Sequence, residues 1–441
     1  MHGLRIGLGV ECTGTKLQVL NSGNDRVRNV ASRTDSIKAI NLDRWRSIDY
    51  ESRLNSEIKR IENSEIGEEN KKLILQYMNY RLANGVSIAR VQRELISLRL
   101  LCERYGLDLG RFDETSLNSV LAKLNISGLS LSTINEFKLA LKGFLKFIGR
   151  EDLAKKIKRR EPKDNMLTRE DLLSVDEVLK LVSAAMNERD PAMIMCHLDL
   201  ACRPEELLTL RVGDFVRDSL GIRVELRRSK TFRRAPHLSF SLPYVSRWLN
   251  VHPLKDNPNA PMWLDMNKFK QGIVAPIDHF AYTRVIGRLM NRAGIKKKFS
   301  PYKFRHTGIT LWAVLLTEQQ LSRRSGHIPG SRYLRRYAKL VDADADKKIL
   351  KELGLIKEEE GEPEVRKLQP VVCGVCGEFN EPQRDRCWKC KASLDPLKLV
   401  KEFDSREIIE AVIDNDLEKL LEEKIRKMIL QVLKEDGIIQ L

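Results

Sequence analysis

The sequence lacks any long hydrophobic run. No stretch of its 441 residues approaches the ~18 consecutive apolar residues that a helix needs to span a bilayer. Residues 1–9 contain only a short apolar stretch and no clear cleavage site, so we expect no signal peptide. These two absences disfavour a membrane or exported protein and predict a cytoplasmic one.

Acidic residues are in deficit. The chain has 61 acidic and 78 basic side chains, which gives a formal net charge of +17 and a pI of about 9.5. Lys and Arg that neutralise phosphates release condensed counterions, so this balance favours a polyanionic partner such as nucleic acid. The 42% hydrophobic content excludes a disordered chain, and the length predicts two or three domains.

Cysteine is sparse outside one cluster. Four of the eight cysteines are scattered, and three of those lie in apolar helical patterns, where we expect buried thiols: the four are Cys12, Cys102, Cys196 and Cys202. The absence of a disulfide framework fits a reducing compartment.

The other four cysteines form two Cys-x-x-Cys pairs separated by ten residues, namely Cys373, Cys376, Cys387 and Cys390. This spacing places four thiolates for tetrahedral Zn²⁺, with Gly374 and Gly377 helping the first turn. The segment resembles a zinc ribbon. Because four thiolates fill every coordination position, we expect a structural ion and no catalytic metal. Basic residues near the pairs leave a DNA or protein contact open.

Hydrophobic periodicity divides the rest of the chain. A helical period dominates about residues 67–149. The basic stretch around Pro162 indicates either an interdomain linker or a run of solvated charges. Ser174 and Glu177 form a capping box that opens a further helix, and Pro204 opens another. Residues 222–240 change to a period near two, which predicts a β-hairpin or meander. Residues 279–351 are helical again.

Four short motifs carry the chemistry in this second region. They are Cys202-Arg203-Pro204-Glu205-Glu206-Leu207, Ser229-Lys230-Thr231, Tyr302-Lys303-Phe304-Arg305-His306-Thr307, and Gly326-His327 followed by Tyr337 ten residues after the histidine. In this order they resemble the catalytic domain of the tyrosine recombinase (phage integrase) family, and the stretch from 300 to 340 looks like archaeal members. The resemblance covers about residues 66–350.

The resemblance implies a mainly α protein with a small β-sheet in its catalytic domain (α+β). It divides the chain into an unassigned extension (1–65), a helical core-binding, SAM-like domain (66–150), a basic linker (151–170) and a catalytic domain (171–352). A zinc ribbon (368–395) and an amphipathic helical tail (400–441) follow. The tail is expected either to pack on the chain or to self-associate.

Physical chemistry assigns each motif a role in phosphodiester cleavage. Arg203 and Arg305 can clamp the non-bridging oxygens through bidentate donors, and His327 can donate to the same oxygens. Lys230 is suited to protonating the departing 5′ oxygen. Tyr337 is the expected nucleophile, activated by the cationic surround. The 3′-phosphotyrosine would keep the bond energy, so no cofactor is needed for catalysis.

Each assignment has an alternative. Arg203 could pair with Glu206 as a core salt bridge, and Tyr333 competes with Tyr337 as nucleophile. Lys230 could be one of several basic surface residues in the hairpin, beside Arg227, Arg228, Arg233 and Arg234. Glu206 and Asp214 are expected only to support the structure.

The chain departs from the family at one position. Tyr302 stands where His or Lys is usual, three residues before the second arginine, and a neutral phenol is a poor proton relay. Lys303 is adjacent but is expected to face elsewhere.

The leading prediction is therefore a site-specific recombinase or integrase that clamps double-stranded DNA, acts in DNA recombination or integration as a homo-oligomer, and is nucleoid-associated. A catalytically weak DNA-binding regulator and a topoisomerase-like enzyme are the alternatives. A protein partner through the ribbon or the tail is left open.

Overall fold

The computed structural model describes residues 38–39, 45–160, 168–229, 231–331 and 364–399, together with residues 334, 337, 349, 350, 353, 355, 423 and 427. Lys230, Tyr333 and nearly all of the predicted tail therefore lie outside the described residues. Within the described ranges, no helix has both the length and the apolarity needed to cross a membrane. The elements are mostly helical with three small two-stranded sheets, which confirms the predicted fold class.

The first group of helices packs around its own core. It comprises α1 (Tyr50–Glu62), α2 (Glu68–Ala83), α3 (Ile88–Tyr105), α4 (Glu114–Ile126), α5 (Leu131–Phe147) and α6 (Glu151–Lys156). Side-chain caps at Asp49, Asp113 and Ser130 satisfy free N–H groups at the starts of α1, α4 and α5. Side chains of α1 and α6 lie in the same buried cluster as those of α3 and α5, so this core begins before residue 66 and extends past residue 150.

The second group of helices surrounds a larger core. It comprises α7 (Val175–Ser183), α8 (Arg189–Leu200), α9 (Pro204–Leu208), α10 (Leu242–Val251), α11 (Met266–Lys270), α12 (His279–Arg292), α13 (Pro301–Ala313) and α14 (Glu318–Ser325). The capping box of Ser174 and Glu177 opens α7, and Pro204 opens α9, as predicted. Leu334 and Tyr337 are buried in this core.

The β-structure lies partly outside the predicted range. Strand β1 (Lys38–Ala39) runs parallel to β4 (Ile273–Val274). Strands β2 (Phe215–Asp218) and β3 (Gly221–Val224) form an antiparallel hairpin in which Phe215 pairs with Val224. Of these strands, only β3 overlaps residues 222–240, and it begins one residue earlier. Isolated bridges in this range join Leu226 to Arg234 and Arg223 to His237. The hairpin turn comes early because Gly221 adopts a φ of 119° that favours glycine.

The C-terminal described segment packs on the second core. A 3-10 helix (Glu364–Leu368) buries Val365 and Leu368 in that core. Strands β5 (Val371–Val372) and β6 (Phe379–Asn380) form the small sheet of the cysteine segment. This sheet lies beside α10.

Candidate functional site

The first predicted arginine is held at the start of α9. Arg203 is the N-cap residue, and Glu206 accepts from both its backbone N–H at 2.9 Å and its Nη1 at 3.0 Å. Its Nη2 reaches the Gly326 carbonyl oxygen at 3.3 Å. The expected salt bridge with Glu206 therefore exists, and it also aims the guanidinium toward the turn that carries His327.

The second arginine is buried on α13. Arg305 is 4% exposed, and its Nη1 donates to the carbonyl oxygens of Ala201 at 2.9 Å and Ser325 at 2.7 Å. Ala201 offers its carbonyl because it ends α8 in the left-handed conformation, with φ of 46°. A glycine lets α13 approach α8 this closely, since a Cβ on Gly308 would lie 2.1 Å from the Leu198 carbonyl oxygen.

His327 lies against Arg305 just after α14. Arg305 Nη2 is 3.1 Å from its Nε2, and the Ser325 hydroxyl is 2.8 Å from its Nδ1. Because that hydroxyl already donates to the Leu321 carbonyl, Nδ1 is assigned as the donor to Ser325 and Nε2 as the acceptor from Arg305. Burial, followed by the charge of Arg305, lowers the pKa of His327 to about 3, so the ring is neutral at pH 7.

A third arginine completes the cluster. Arg234 is 9% exposed and donates from Nη2 to Glu206 at 2.7 Å and from Nε to the Arg324 carbonyl at 2.9 Å. The expectation that Arg234 is a surface residue is wrong. Arg234 pairs with Leu226 through its backbone, and its side chain is buried against Glu206 and Arg324. Gly326 leaves room for it: a Cβ there would lie 2.4 Å from Arg234 Nη1.

The cluster carries uncompensated positive charge. Arg203 and Arg234 both pair with the buried carboxylate of Glu206, whereas Arg305 donates to carbonyl oxygens and to His327. Three guanidinium groups and one carboxylate leave two positive charges in excess. Burial, then the charge of Arg203, lowers the pKa of Arg305 to about 10, so it stays protonated at neutral pH. Crowded cations of this kind favour a bound anion such as a phosphodiester.

Tyr337 lies next to the cluster and contacts a histidine that the sequence prediction did not single out. Its side chain is 4% exposed, and its hydroxyl is hydrogen-bonded to Nδ1 of His306, the residue after Arg305. The two rings stack with centroids 5.9 Å apart. Tyr337 is also among the groups whose charge acts on the pKa of Arg305.

The remaining predicted residues are placed differently. Tyr302 is 50% exposed in the first turn of α13, and its hydroxyl forms no hydrogen bond with the described residues. Lys303 faces away, as predicted, because its Nζ donates to the Asp171 carbonyl at 2.9 Å. Thr231, next to Lys230, donates to the Gly326 carbonyl at 2.9 Å. This bond brings the loop between Leu226 and Arg234 to the cluster.

The four cysteines of the C-terminal segment converge. All Sγ atoms lie within 4.8 Å of one another, with Cys373 and Cys390 at 3.5 Å and Cys376 and Cys387 at 3.6 Å. Zinc–sulfur bonds of about 2.3 Å in a tetrahedron place sulfurs roughly 3.8 Å apart. The thiols therefore fit a tetrahedral ion.

The two cysteine turns have the same backbone geometry. The N–H of Gly377 bonds to the Cys373 carbonyl at 2.9 Å, and the N–H of Lys391 bonds to the Cys387 carbonyl at 3.0 Å. Both donors have a positive φ, 69° for Gly377 and 67° for Lys391. A positive φ is strained for a residue with a side chain such as Lys391. That the second turn keeps this conformation supports a shared role for the two turns in directing the cysteine thiols toward one another.

The cysteine segment is joined to the second core by polar contacts. Arg247 of α10 forms ion pairs with both Glu381 and Glu188. The Ser183 hydroxyl donates to Gln383 at 3.2 Å. Glu381 follows β6 directly, so these contacts depend on the fold of the cysteine segment.

The second core resembles known proteins. Residues 171–339 match the phage integrase family. The chain is 27% identical over 191 residues to tyrosine recombinase XerA of Pyrococcus horikoshii, covering 43% of this chain and 63% of XerA. It is 28% identical over 233 residues to tyrosine recombinase XerC of Alcanivorax borkumensis, covering 50% of this chain and 72% of XerC. The match thus spans less than two thirds of XerA.

Two solved structures are similar at lower identity. XerH site-specific recombinase bound to its difH substrate is 16% identical with a TM-score of 0.45, and the match covers 67% of this chain and 94% of XerH. A lambda integrase dimer bound to a core site is 14% identical with a TM-score of 0.48, covering 65% and 79% of the two chains.

Proposed function

Because residues 171–339 match the phage integrase family, we propose that this protein is a site-specific DNA recombinase or integrase that breaks and rejoins strands through a 3′-phosphotyrosine at Tyr337. The observation that carries the proposal is the excess of two positive charges at Arg203, Arg234, Arg305 and Glu206 beside a buried tyrosine hydroxyl. A phosphodiester is the anion whose cleavage such a cluster would accelerate.

In this proposal Arg203 and Arg305 bind the non-bridging oxygens of the scissile phosphate. Arg305 keeps Nη2 directed at that position because Nη1 is anchored by the carbonyls of Ala201 and Ser325. His327 begins neutral, with Nε2 accepting from Arg305. A phosphate bound between Arg305 and His327 would favour the protonated imidazole. The protonated ring donates through Nε2 and becomes a third hydrogen-bond donor to the phosphate oxygens.

Lys230 is the proposed general acid for the leaving 5′ oxygen, a task that suits an amine. Its described neighbour Thr231 supports this proposal, because Thr231 contacts the Gly326 carbonyl oxygen. Tyr302 at the usual His or Lys position is proposed to contact the phosphate through its hydroxyl, as a hydrogen-bond donor. No step requires a metal ion or a cofactor, because the phosphotyrosine keeps the energy of the broken bond for rejoining.

The proposed partner is double-stranded DNA. The helices of the first core, from α1 to α6, would hold one face of the duplex and the domain at 171–352 the other. The basic residues that follow α6 would join them. XerH is bound to difH, and lambda integrase forms dimers and a tetramer on DNA. We therefore propose a homo-oligomer on DNA for this chain, because strand exchange needs several protomers, in a cytoplasmic, nucleoid-associated protein.

We further propose that Cys373, Cys376, Cys387 and Cys390 hold a structural Zn²⁺. The converging sulfurs and the paired turns support this assignment. When bound, the ion would fix the small sheet, which is too short to bury a core of its own. The ion pairs of Arg247 would then hold this segment against α10. A protein partner that binds the cysteine segment or the tail is a second possible role.

A nicked-duplex trapping assay tests the function. A nick just 3′ of the cleavage site lets the short fragment that carries the free 5′ hydroxyl diffuse away. A strand transferase therefore accumulates a covalent protein–DNA adduct that resists denaturation. The wild-type chain should form this adduct and Tyr337→Phe should form none. Binding without adducts would instead favour the regulator that Tyr302 suggests, and relaxation of supercoiled DNA without recombination would favour a topoisomerase-like enzyme.

A further inference from the structure

The hydroxyl of Tyr337 is hydrogen-bonded to the imidazole of His306. Its Nδ1 faces the phenol, and the two rings stack. The carbonyl of His306 accepts from Thr310 Oγ1 at 3.1 Å, an ordinary bond within α13. The imidazole is therefore carried by a regular helix and contacts the oxygen that must lose a proton before it can attack phosphorus.

The helix explains why His306 can take a role that Tyr302 does not. Residues four apart lie on the same face of an α-helix one turn from each other, so positions 302 and 306 share a face of α13. Tyr302 stays half exposed, whereas His306 reaches Tyr337. Arg305, one position before His306, faces the core instead.

We propose that His306 is the general base that accepts the phenolic proton of Tyr337 during strand cleavage, an assignment that rests on the proposed function. The Tyr337 oxygen forms a bond to phosphorus as the P–O5′ bond breaks. The phenolic proton moves to Nδ1 of His306, and the departing 5′ oxygen takes a proton from Lys230. Rejoining reverses both transfers, so His306 returns its proton to Tyr337.

The other nearby histidine is already committed elsewhere. His327 donates from Nδ1 to Ser325 and accepts at Nε2 from Arg305, so its ring serves the phosphate-binding cluster. His306, in contrast, receives the Tyr337 hydroxyl at Nδ1, which a neutral imidazole offers as an acceptor when its proton is on Nε2. In this proposal His327 binds the phosphate oxygens, and His306 accepts the proton of the nucleophile.

The experiment uses the full-length chain and nicked duplexes whose randomised core is enriched for covalent adducts with wild type. Single-turnover cleavage is then measured for wild type, His306→Gln and Lys230→Ala on the recovered duplex. General acid–base groups contribute about 100-fold or more, so both variants should slow by at least that factor. His237→Gln, which changes a histidine paired with Asp218, is the matched control and should keep the wild-type rate.

A second substrate separates the two proton transfers. A duplex with sulfur in place of the bridging 5′ oxygen releases a thiolate that needs no proton. This substrate should restore Lys230→Ala to near the wild-type rate but leave His306→Gln slow. Added imidazole should recover cleavage by His306→Ala, which a residue that only packs against Tyr337 would not show.

Each outcome decides the assignment. Wild-type adducts together with full activity of His306→Gln would overturn the role of His306 and leave the proposed function standing. Rescue of His306→Gln by the sulfur substrate would also overturn it, because the lost step would then lie at the leaving group. Failure of wild type to form any adduct would overturn strand cleavage itself.

Discussion

Arg234 donates its Nη2 to the carboxylate of Glu206 at 2.7 Å, and both side chains are buried. Glu206 also accepts from the backbone and side chain of Arg203. Although burial alone would raise the pKa of Glu206, the hydrogen bond and charge of Arg234 hold it below its usual value. One carboxylate therefore organises two of the three guanidinium groups in the candidate site.

Replacing Glu206 with Gln should strongly destabilise the fold. The amide keeps the shape but removes the one buried negative charge among Arg203, Arg234 and Arg305. Leaving buried charges uncompensated costs about 3–5 kcal/mol, which urea unfolding would measure. Glu225→Gln is the matched control: its ion pairs with Arg223 and Arg227 are partly exposed, so it should cost at most about 1 kcal/mol. Equal losses in the two variants would contradict this account of Glu206.

Replacing Gly308 with Ala should loosen the packing that positions Arg305. The added Cβ would lie 2.1 Å from the Leu198 carbonyl oxygen. Because that oxygen is a backbone atom within α8, it cannot move aside without shifting the helix. Overpacking of this kind costs roughly 1–3 kcal/mol, measured as a lower unfolding free energy. Gly287→Ala in α12 meets nothing within 4 Å and should instead stabilise by up to about 1 kcal/mol. A neutral Gly308→Ala would show that α13 does not approach α8 this closely.

Much of the site followed from the sequence because motif order constrains it. Arg203, Arg305 and His327 were predicted, and the structure brings them together. Lys230 and Tyr333 lie outside the described residues, so their roles stay predictions. Asp214, expected only to support the structure, accepts from the Arg211 backbone N–H at 2.9 Å.

The residues that the sequence did not reveal depend on distant contacts. Arg234 looked like a surface residue because its burial depends on the turn that carries Gly326. Gly308 looked like an ordinary helical glycine, since its role appears only when α8 lies against α13. His306 did carry a signal, because it stands one helical turn after the unusual Tyr302, but the meeting with Tyr337 spans 31 residues.

Removing one of the proposed zinc ligands should release the C-terminal segment. Cys387→Ser should reduce bound zinc, measured by metal analysis, from about one ion per chain to near none. The ion pairs of Arg247 with Glu381 and Glu188 should then be lost, and protease cleavage between residues 369 and 399 should rise. Cys102→Ser, a thiol in the helical core, should keep its zinc. Unchanged zinc in Cys387→Ser would exclude the four-cysteine site.

The fold should lose stability as the pH falls below about 6.5. Burial lowers the pKa of His197 to about 3 and that of His252 to about 4, whereas both return to ordinary values on unfolding. Between those limits the unfolded chain binds more protons, so stability decreases with falling pH by up to about 1.4 kcal/mol per pH unit for each histidine. Urea unfolding across this range should show the slope, and His252→Asn should reduce it by about one proton. A flat profile would contradict neutral burial of the two rings.

The most direct test of the central claim is to locate the covalent bond on the chain. Protein–DNA adducts trapped on nicked duplexes would be digested with protease and nuclease, and the peptide bearing a nucleotide would be sequenced by mass spectrometry. The account predicts a nucleotide joined through its 3′ phosphate to Tyr337, and no adduct from Tyr337→Phe. A nucleotide on Tyr333, or adducts that persist in Tyr337→Phe, would contradict it.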